Sequence, residues 1–416
     1  MRAAILSVGS ELTSGQTVDT NSAWLARRLA ELGIVAGLHV TVADEPEPLR
    51  DEILRAASSA DLLLITGGLG PTADDLTRQA VAEALGVPLE PDARSLEQIR
   101  AFFTRRRREM PAANEVQALV PRGATPIENT CGTAPGLRAR IGRAELFVMP
   151  GVPREMQVMY ERDVLPALQP AAGGTAILHR VLYAYGAGES IIGERIADLM
   201  RRGRNPSVGT TAQQTIIGVR IMAQGPTRAA AANLLERDAE EVRGRLGPLI
   251  FGQDDPRLSA AVGALLKQRG LTIAAAESCT GGLIAQQLTD IPGSSAYLRE
   301  SLVTYANESK SRLLGVPAAL IETHGAVSAP VAEAMALGCR RGSGADIALS
   351  VTGIAGPEGG TAEKPVGLVF VGLADEGGCE VREYRLGDDL ARSEVRERSA
   401  YAALDRVRRR LLDSSA

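Results

Sequence analysis

The first third of the chain alternates between two patterns of apolar positions. Short segments dominated by apolar residues are typical of strands buried in a parallel sheet, and three occur here: 3–9, 35–43 and 61–68. Each precedes a segment with apolar residues at helical spacing: 20–33, 48–60 and 75–86. Gly33 and Gly86 close the first and third of these segments, as expected of helix ends. This βαβα order predicts a parallel sheet with helices on both faces.

The strand and helix rhythm breaks near Pro166, and two polar or Gly/Pro-rich segments predict linkers: 168–176 and 251–257. Between them, strand patterns at 177–186 and 215–225 alternate with helical patterns at 189–202 and 228–247. Beyond the second linker an α/β pattern resumes. A chain of 416 residues is also too long for one ordinary core. We therefore predict two α/β domains with mostly parallel sheets, joined by a small α+β domain: 1–170, 177–250 and 255–416.

Composition narrows the class of protein. The net charge of −4 gives no overall basic field, so nucleic acid is not favoured as a partner. The basic run 105–108 beside Phe102 and Phe103 is short, and we interpret it as a solvated helix face. Apolar stretches are too short to span a bilayer, and the four cysteines are far apart, without metal-ligand spacing. We expect a cytoplasmic protein that does not enter membranes.

Two segments have a similar sequence in which a predicted strand is followed by a glycine loop: 63–75 (LLITGGLGPTADD) and 348–360 (ALSVTGIAGPEGG). Either two α/β domains use glycines independently at the end of a strand, or the similarity reflects an internal repeat. In both interpretations, each loop lies at the carboxyl end of a strand, where open α/β sheets bind ligands.

The stretch AAAESCTGGLI (274–284) predicts a strand, a sharp turn and the start of a helix. Ser278 and Cys279 are adjacent potential nucleophiles at this turn. The N–H groups of Thr280, Gly281 and Gly282 would form the first helical turn, where they could stabilise an oxyanion. An ordinary helix cap without function explains the same residues, and the stretch alone does not decide between the two interpretations.

A possible activating pair follows in VTYANESK (303–310), where we expect a strand, Asn307 as the helix cap, and a short helix. Tyr305 would lie at the strand end and Lys310 in the first helical turn, so that both could converge on one point. A buried lysine with a lowered pKa can activate a serine without histidine. The alternative is a surface lysine near a core tyrosine. His324, in the predicted loop ETHGAVS, is the histidine of this domain. We interpret it as a hydrogen-bonding loop residue, and contact with the substrate stays open as the alternative.

Five motifs in order, AESCTGG, VTYANESK, HGAVS, VTGIAGPEGG and KPVGLVFVG, resemble the carboxy-terminal domain of the competence/damage-inducible protein CinA family. The resemblance implies a nicotinamide mononucleotide amidohydrolase with Ser278 as nucleophile and Tyr305 and Lys310 as its activating pair. The resemblance implies that this amidohydrolase needs no cofactor and that the protein is a homodimer. The resemblance also implies a set of substrate-binding residues: Thr280, Gly281, Gly282, Thr352, Gly353, Gly356 and Arg396.

In the first domain, polar residues gather in loops after strands, and carboxylates beside glycines suit a phosphorylated ligand held through a hard divalent ion. The candidate carboxylates are Glu11, Asp19, Asp74, Asp75 and Glu155. This domain resembles the molybdopterin-binding fold and again the CinA family, which implies metal-dependent ADP-ribose pyrophosphatase activity with Mg, Mn or Co. Asp75 falls on the acidic position of the fold, and Asp75 and Glu155 are the candidate metal ligands. The nucleotide-binding candidates are Gly9, Glu11, Asp19, Gly67, Gly68, Gly70, Thr72, Asp74 and Asp75.

The middle domain corresponds to the KH-like domain of the family but lacks the Gly-x-x-Gly loop that clamps RNA, which favours an interaction or spacer role. The leading hypothesis is a bifunctional pyridine-nucleotide enzyme whose partners are small-molecule nucleotides, nicotinamide mononucleotide and ADP-ribose. Two alternatives stay open: a molybdopterin-handling first domain, and a non-catalytic nucleotide-binding protein associated with competence.

Overall fold

The computed structural model describes residues 1–169, 176–213 and 215–413. It divides into two compact units, of which the first comprises Met1–His179, Asn205–Ser207 and Met222–Asp238. The second comprises Arg180–Arg204, Val208–Ile221 and Ala239–Ala416. The middle segment contributes to both units, and the division into three domains stays a prediction. Most of the predicted linker 168–176 lies outside the described residues.

The amino-terminal part begins with alternating strands and helices, as predicted. Its elements are β1 Arg2–Val8, α1 Ser10–Thr13, α2 Thr20–Glu31, β2 Val35–Val42, α3 Pro46–Ser59, β3 Leu62–Thr66, α4 Thr77–Leu85, β4 Leu89–Pro91, α5 Ala93–Arg105, β5 Leu119–Pro121, β6 Thr125–Ile127, β7 Gly136–Ile141, β8 Ala144–Met149, α6 Pro153–Met159 and α7 Leu165–Leu168. Six strands form one sheet in the order β2-β1-β3-β8-β7-β6. Its first four strands are parallel, and β7 and β6 add antiparallel pairs.

Both faces of this sheet are covered because neighbouring strand residues point in opposite directions. Leu6 and Leu63 pack on one face with α3 and α4, and Ile5 and Leu64 pack on the other with α2 and α6. At the carboxyl edge, Gly67 has φ 108°, and a Cβ there would lie 2.1 Å from the carbonyl oxygen of Val8. Only glycine therefore lets the chain leave β3 beside the end of β1.

The middle segment contains both helices and a sheet with antiparallel pairing, which agrees with the predicted α+β class. Its elements are β9 Ala176–Tyr185, α8 Glu189–Arg195, β10 Ser207–Gln213, β11 Ile216–Gly225, α9 Arg228–Leu246 and β12 Ile250–Gln253, and its sheet has the order β10-β11-β9-β12. Two expectations were wrong. The helix expected over 189–202 ends at Arg195, because tighter turns follow, such as Leu199 N–H to Ile196 O at 2.9 Å. The linker expected at 251–257 begins inside β12, which pairs antiparallel with β9.

The carboxy-terminal part is the second α/β sheet. Its elements are α10 Leu258–Arg269, β13 Ile273–Glu277, α11 Leu283–Thr289, β14 Leu298–Val303, α12 Asn307–Leu314, α13 Ala318–His324, α14 Ala329–Ser343, β15 Ile347–Gly353, β16 Leu368–Asp375, β17 Gly378–Arg385 and α15 Arg392–Asp413. The sheet order is β14-β13-β15-β16-β17. The first three strands are parallel, and β16 and β17 form an antiparallel hairpin. The fold class is thus the predicted one.

Helices cover both faces of this sheet: α10, α11 and α15 pack on one, and α12, α13 and α14 on the other. Two local expectations were wrong. Asn307 is the first residue of α12, and Ala306 precedes it as a cap without a side-chain hydrogen bond. His324 ends helix α13, although a loop was expected there. Over the three described ranges, no helix combines the length and the apolar character needed to cross a membrane.

Candidate active site

Ser278 lies directly after β13, the central strand of the three parallel strands, whose five residues are all buried. The N–H of Ser278 donates to the carbonyl of Val351 on β15 at 2.9 Å, which continues the sheet for one more residue. The side chain of Ser278 is therefore held at the carboxyl edge of the sheet, and the residue is 9% exposed. A hydroxyl in this position is rigidly placed and still reachable at the edge of the sheet.

Lys310 contacts Ser278 from helix α12. It lies in the first turns of α12 and is 1% exposed. Its Nζ donates to the Ser278 Oγ at 3.2 Å, to the Thr304 carbonyl at 2.9 Å and to the Tyr305 carbonyl at 3.2 Å. Burial lowers the pKa of Lys310, against smaller opposing effects of the Cys279 and Glu308 charges. The amine therefore loses its proton more easily than an exposed lysine does, which is the direction that the hypothesis of a lysine base requires.

Tyr305 contributes differently from what was expected of an activating pair. Its main-chain carbonyl holds Lys310, whereas its side chain is 61% exposed and its hydroxyl accepts a hydrogen bond from Arg392 Nη2 at 2.8 Å. The tyrosine ring therefore lies at the mouth of the site, and the lysine is anchored by the main chain of residues 304 and 305. Whether the tyrosine hydroxyl takes part in chemistry stays a prediction.

Glu277, which the sequence analysis did not single out, organises the turn that carries Ser278. It is fully buried, and its carboxylate accepts hydrogen bonds from the N–H groups of Gly282 at 2.9 Å, Ile284 at 3.1 Å and Ala285 at 2.9 Å. Ser301 Oγ on β14 donates a fourth, at 3.0 Å. The carboxylate thus satisfies the free N–H groups at the start of α11. The signal in the sequence was a carboxylate immediately before the candidate nucleophile.

The turn 278–282 differs from the expected first turn of a helix. Helix α11 begins at Leu283, and Gly281 and Gly282 both have positive φ, at 61° and 95°. The Gly281 N–H donates to the Ser278 carbonyl at 3.1 Å, and the Gly282 N–H is taken by Glu277. Because both amides already have acceptors, the expectation that they receive an oxyanion gains no support from their positions.

The predicted arginine and loop residues do lie around this turn. Arg396 donates from Nε and Nη2 to the Thr280 carbonyl, at 3.3 and 2.8 Å, so it contacts the main chain of the turn. One helical turn earlier, Arg392 donates to the Gly356 carbonyl at 2.6 Å as well as to the Tyr305 hydroxyl. Arg392 was missed, although it lies four residues before Arg396 on the same helix face. Two guanidinium groups therefore border the site.

Neighbouring segments hold the 352–356 loop in place. Thr352 is 1% exposed and its hydroxyl donates to the Ala326 carbonyl at 2.9 Å, while Gly353 packs against β16, where a Cβ would lie 2.7 Å from Val369. Lys364 donates to the carbonyls of His324 at 2.6 Å and Val327 at 2.8 Å. In the described part of the chain, His324 accepts this hydrogen bond through its main chain, which agrees with its interpretation as a hydrogen-bonding residue.

Cys279 is buried in the core on the α10 and α15 side and is 5% exposed. Burial raises the pKa of its thiol to about 12, with smaller opposing effects of nearby N–H dipoles. Because the thiolate is the nucleophilic form, a buried thiol of this kind is inert. Of the two adjacent candidates, the geometry favours Ser278.

In the amino-terminal part, the glycine loop after β3 is closed by its own side chains. The Asp75 carboxylate accepts from the N–H of Gly70 at 2.7 Å, from the N–H of Thr72 at 2.9 Å, and from the Thr72 hydroxyl. Below the loop, buried Arg78 donates to the carbonyls of Leu69 and Gly70, at 2.6 and 2.7 Å. Burial lowers the pKa of Arg78 to about 10, with Asp75 opposing.

A cavity of about 110 Å³ opens at the carboxyl ends of β1 and β3, next to Glu11 and Asp19. Asp19 caps α2 by accepting from the Ser22 N–H at 2.9 Å. Burial alone would raise the pKa of Asp19, but its hydrogen bonds, chiefly from the Ser22 N–H, hold it below its ordinary value. Asn21 donates to the Thr66 hydroxyl at 3.0 Å and to the Gly151 carbonyl at 2.7 Å.

The remaining predicted residues of this part lie around the loops. The carboxylate of Glu11 lies against Gly9, where a Cβ would be 2.6 Å from it, and Gly68 lies against the side chain of Thr77. Asp74 is exposed, and a hydrogen bond from the Thr72 side chain lowers its pKa. Glu155 accepts from Asn129 Nδ2 at 2.7 Å, in the 129–136 loop.

These carboxylates do not fit the expected divalent ion. In the described part of the chain, no three His, Cys, Asp or Glu side chains come together as a group that could hold a metal ion. The oxygens of Asp75 are already hydrogen-bonded to the loop, and Glu155 is paired with Asn129. The metal role of Asp75 and Glu155 therefore gains no support from their positions, and we derive no step through a metal.

Comparison with known protein families matches three models in chain order: "Probable molybdopterin binding domain" over residues 4–170, "Damage-inducible protein CinA KH domain" over 179–252, and "CinA C-terminal domain" over 255–411. Among solved structures, the competence/damage inducible protein CihA from Agrobacterium tumefaciens is 44% identical, with a TM-score of 0.35, over 36% of this chain and 91% of that one. The protein CinA with unknown function from Thermoplasma acidophilum is 30% identical, with a TM-score of 0.37, over 41% and 97%.

Two relatives match along almost the whole length. The CinA-like protein of Geobacter sulfurreducens is 44% identical over 413 residues, which is 99% of this chain and 100% of the relative. The CinA-like protein of Dictyoglomus thermophilum is 44% identical over 414 residues, again 99% and 100%. With this identity over its full length, and with all three family models matched, the chain belongs to the CinA family.

Proposed function

We propose that the carboxy-terminal site is a serine amidohydrolase that converts nicotinamide mononucleotide to nicotinic acid mononucleotide and ammonia. The single observation that carries this proposal is the buried contact of Lys310 Nζ with Ser278 Oγ, at 3.2 Å. A lysine with a lowered pKa beside a serine at a strand end is a known way to activate the hydroxyl without histidine. The substrate is the one that the family resemblance implies.

The reaction follows from these positions. Neutral Lys310 takes the proton of Ser278 as the Oγ attacks the carboxamide carbon, and a tetrahedral intermediate forms. When the intermediate collapses, the C–N bond breaks and the ammonium of Lys310 gives its proton to the leaving nitrogen, so that ammonia departs. Water then attacks the acyl-serine with Lys310 again accepting a proton, and the carboxylic acid is released as Ser278 regains its own.

The border of the site suits an anionic substrate. Arg392 and Arg396 both donate to main-chain carbonyls of the loops around Ser278, and each guanidinium has further N–H groups. Arginine is the side chain best suited to phosphate because its planar fork donates two parallel hydrogen bonds. The 5′-phosphate of a mononucleotide is the group that we assign to this border.

The test is ammonia release from nicotinamide mononucleotide by the purified protein. We expect steady release by the wild type and none above background by Ser278→Ala. The variant should keep its thermal unfolding temperature and its affinity for the product. Absence of ammonia with wild-type protein, or equal release by Ser278→Ala, contradicts the proposal.

For the amino-terminal part we infer nucleotide binding at the cavity beside Glu11 and Asp19, since it lies at the carboxyl edge of the parallel strands. Cleavage of ADP-ribose is the activity that the family resemblance implies, and molybdopterin handling is its competitor. Incubation with ADP-ribose, with and without a chelator, measures the first, and titration with a pterin measures the second. Turnover that the chelator abolishes supports cleavage, whereas pterin binding without turnover supports the competitor.

A further inference from the structure

In the proposed reaction, the carboxamide oxygen becomes negatively charged in the tetrahedral intermediate and needs hydrogen-bond donors. The amides at the start of α11 do not provide them. Those of Gly282, Ile284 and Ala285 donate to the Glu277 carboxylate, and that of Gly281 donates to the Ser278 carbonyl. A negatively charged carboxylate at this helix end also repels a second anion. The donors must therefore lie closer to the nucleophile.

The two amides directly after Ser278 have no oxygen acceptor. Within the described ranges, neither the Cys279 N–H nor the Thr280 N–H donates to a main-chain carbonyl. Both act on the Cys279 sulfur and favour its thiolate, but a thiol is only a weak acceptor. Cys279 is 5% exposed and Thr280 is fully buried. Buried N–H groups without a strong acceptor are uncommon in proteins, so two in succession beside a nucleophile call for a ligand.

The Thr280 side chain gives an independent indication. Its hydroxyl is buried and has no hydrogen-bond partner in the described structure. Its carbonyl, in contrast, accepts hydrogen bonds from Arg396 Nε and Nη2 and from the Leu283 N–H at 3.4 Å. Thr280 is thus held through its carbonyl, while its hydroxyl has no partner and its N–H has no acceptor stronger than the Cys279 sulfur.

The hydroxyl of Thr304 is also buried without a partner, yet that residue is not equivalent. The Thr304 N–H donates to the Glu277 carbonyl at 2.8 Å, and its carbonyl accepts from Lys310. Its main chain is therefore fully used in holding the base. Of these two threonines, Thr280 lies two residues after Ser278 and has an N–H without an oxygen acceptor as well as the unpartnered hydroxyl.

We propose that the main-chain N–H groups of Cys279 and Thr280, together with the Thr280 hydroxyl, bind the oxyanion of the tetrahedral intermediate, with Arg396 as the positioning residue of this turn. The inference rests on the proposed amidase function. As the bond from Ser278 Oγ to the carboxamide carbon forms, the π electron pair of the C=O bond moves onto the oxygen, and these N–H and O–H groups donate hydrogen bonds to the resulting oxyanion. The pair returns when the C–N bond breaks, and ammonia leaves with the proton held by Lys310.

The test compares Thr280→Val, which keeps the shape but removes the hydroxyl, with Thr280→Ser, which keeps the hydroxyl. Loss of one oxyanion donor lowers kcat by about 100- to 1000-fold in comparable sites, and we expect Thr280→Val to fall in this range with KM almost unchanged. Thr280→Ser should stay within about tenfold of wild type. Thr289→Val, which removes a hydroxyl of α11 bonded to the Ala285 carbonyl, is the matched control and should retain full activity.

Arg396→Gln should lower kcat more than it raises KM, because its contact with the Thr280 carbonyl orients the donors. Thermal unfolding and product binding are measured for every variant, so that a folding defect is recognised. Equal activity of Thr280→Val and wild type overturns the inference, as does a Thr280→Ser variant as poor as Thr280→Val. Either result leaves the amidase proposal standing, whereas a wild-type protein without ammonia release overturns both.

Discussion

The Nζ of Lys310 lies 3.2 Å from the Oγ of Ser278, and the remaining contacts of this amine are two main-chain carbonyls. No carboxylate is hydrogen-bonded to the lysine in the part of the chain that the structure describes, so burial dominates and lowers its pKa. The serine thus faces an amine that loses its proton more easily than an exposed lysine does.

The rate of amide hydrolysis should depend on pH through Lys310. The base is active when neutral, so kcat/KM should rise as the pH rises through a pKa below 10.5, the ordinary value for lysine. Lys310→Arg keeps the charge but stays protonated, and it should lose about 100-fold or more in kcat. A pH–rate profile of both proteins checks this. A flat profile, or an active arginine variant, contradicts the role of Lys310 as a base.

The same lysine should reduce stability at neutral pH. Its pKa is lower in the folded than in the unfolded state, so in the interval between the two values the unfolded state binds more protons. The free energy of unfolding therefore rises with pH across this interval and levels off above 10.5. Lys310→Met should lack this component. Chemical unfolding at a series of pH values up to 10.5 should show a shallower rise for the variant, and equal slopes would contradict the expectation.

Removal of the Glu277 charge should impair the turn that carries the nucleophile. Glu277→Gln keeps the shape of the side chain but places an NH₂ group opposite main-chain N–H donors. Buried donors thereby lose their acceptor, at a cost of about 1–3 kcal/mol each. We expect a lower unfolding temperature and a lower kcat, with the pKa of the pH–rate profile unchanged, since Glu277 is not among the charges that act on Lys310. Ser301→Ala, which removes one donor to the same carboxylate, is the control and should have a small effect. A variant with wild-type stability and kcat would mean that the turn is held by other contacts.

The carboxy-terminal site could be predicted from the sequence to the extent that local pattern determines it. The strand before Ser278 and the helix with Lys310 follow from periodicity, and neighbouring parallel strands bring them together. The role of Glu277 could not be predicted, because the N–H groups that donate to its carboxylate depend on where α11 begins, and two glycines with positive φ shift that start to Leu283. Arg392 was missed because its partners, Gly356 and Tyr305, are distant in sequence.

In the amino-terminal part, residue types alone did not determine what the carboxylates of the loops contact. Glycines and carboxylates in strand-end loops suggested a metal, but Asp75 satisfies main-chain donors of its own loop. A carboxylate that closes a turn and one that binds an ion look alike in a sequence, because the choice depends on which N–H groups lie within reach.

Arg392 should bind the phosphate group of the substrate. Arg392→Gln is expected to reduce kcat/KM for nicotinamide mononucleotide, at a cost of about 1.5–3 kcal/mol for a hydrogen bond to a charged group. The activity on nicotinamide riboside, which lacks the phosphate, should change much less. Competition by inorganic phosphate should weaken in the variant. An equal loss on both substrates would assign Arg392 to holding the Gly356 loop and Tyr305 instead.

Asp75 should act as a structural residue of its loop. Asp75→Ala removes the acceptor of the Gly70 and Thr72 N–H groups and leaves buried Arg78 without the opposing charge beside it. We expect a loss of about 1–3 kcal/mol in the free energy of unfolding, measured with denaturant in the presence of a chelator. Asp74→Ala is the matched control: this carboxylate is exposed, and its replacement should leave stability nearly unchanged. If Asp75 instead served mainly as a metal ligand, its replacement would leave stability in chelator unchanged and alter only the effect of added Mg²⁺ or Mn²⁺ on unfolding.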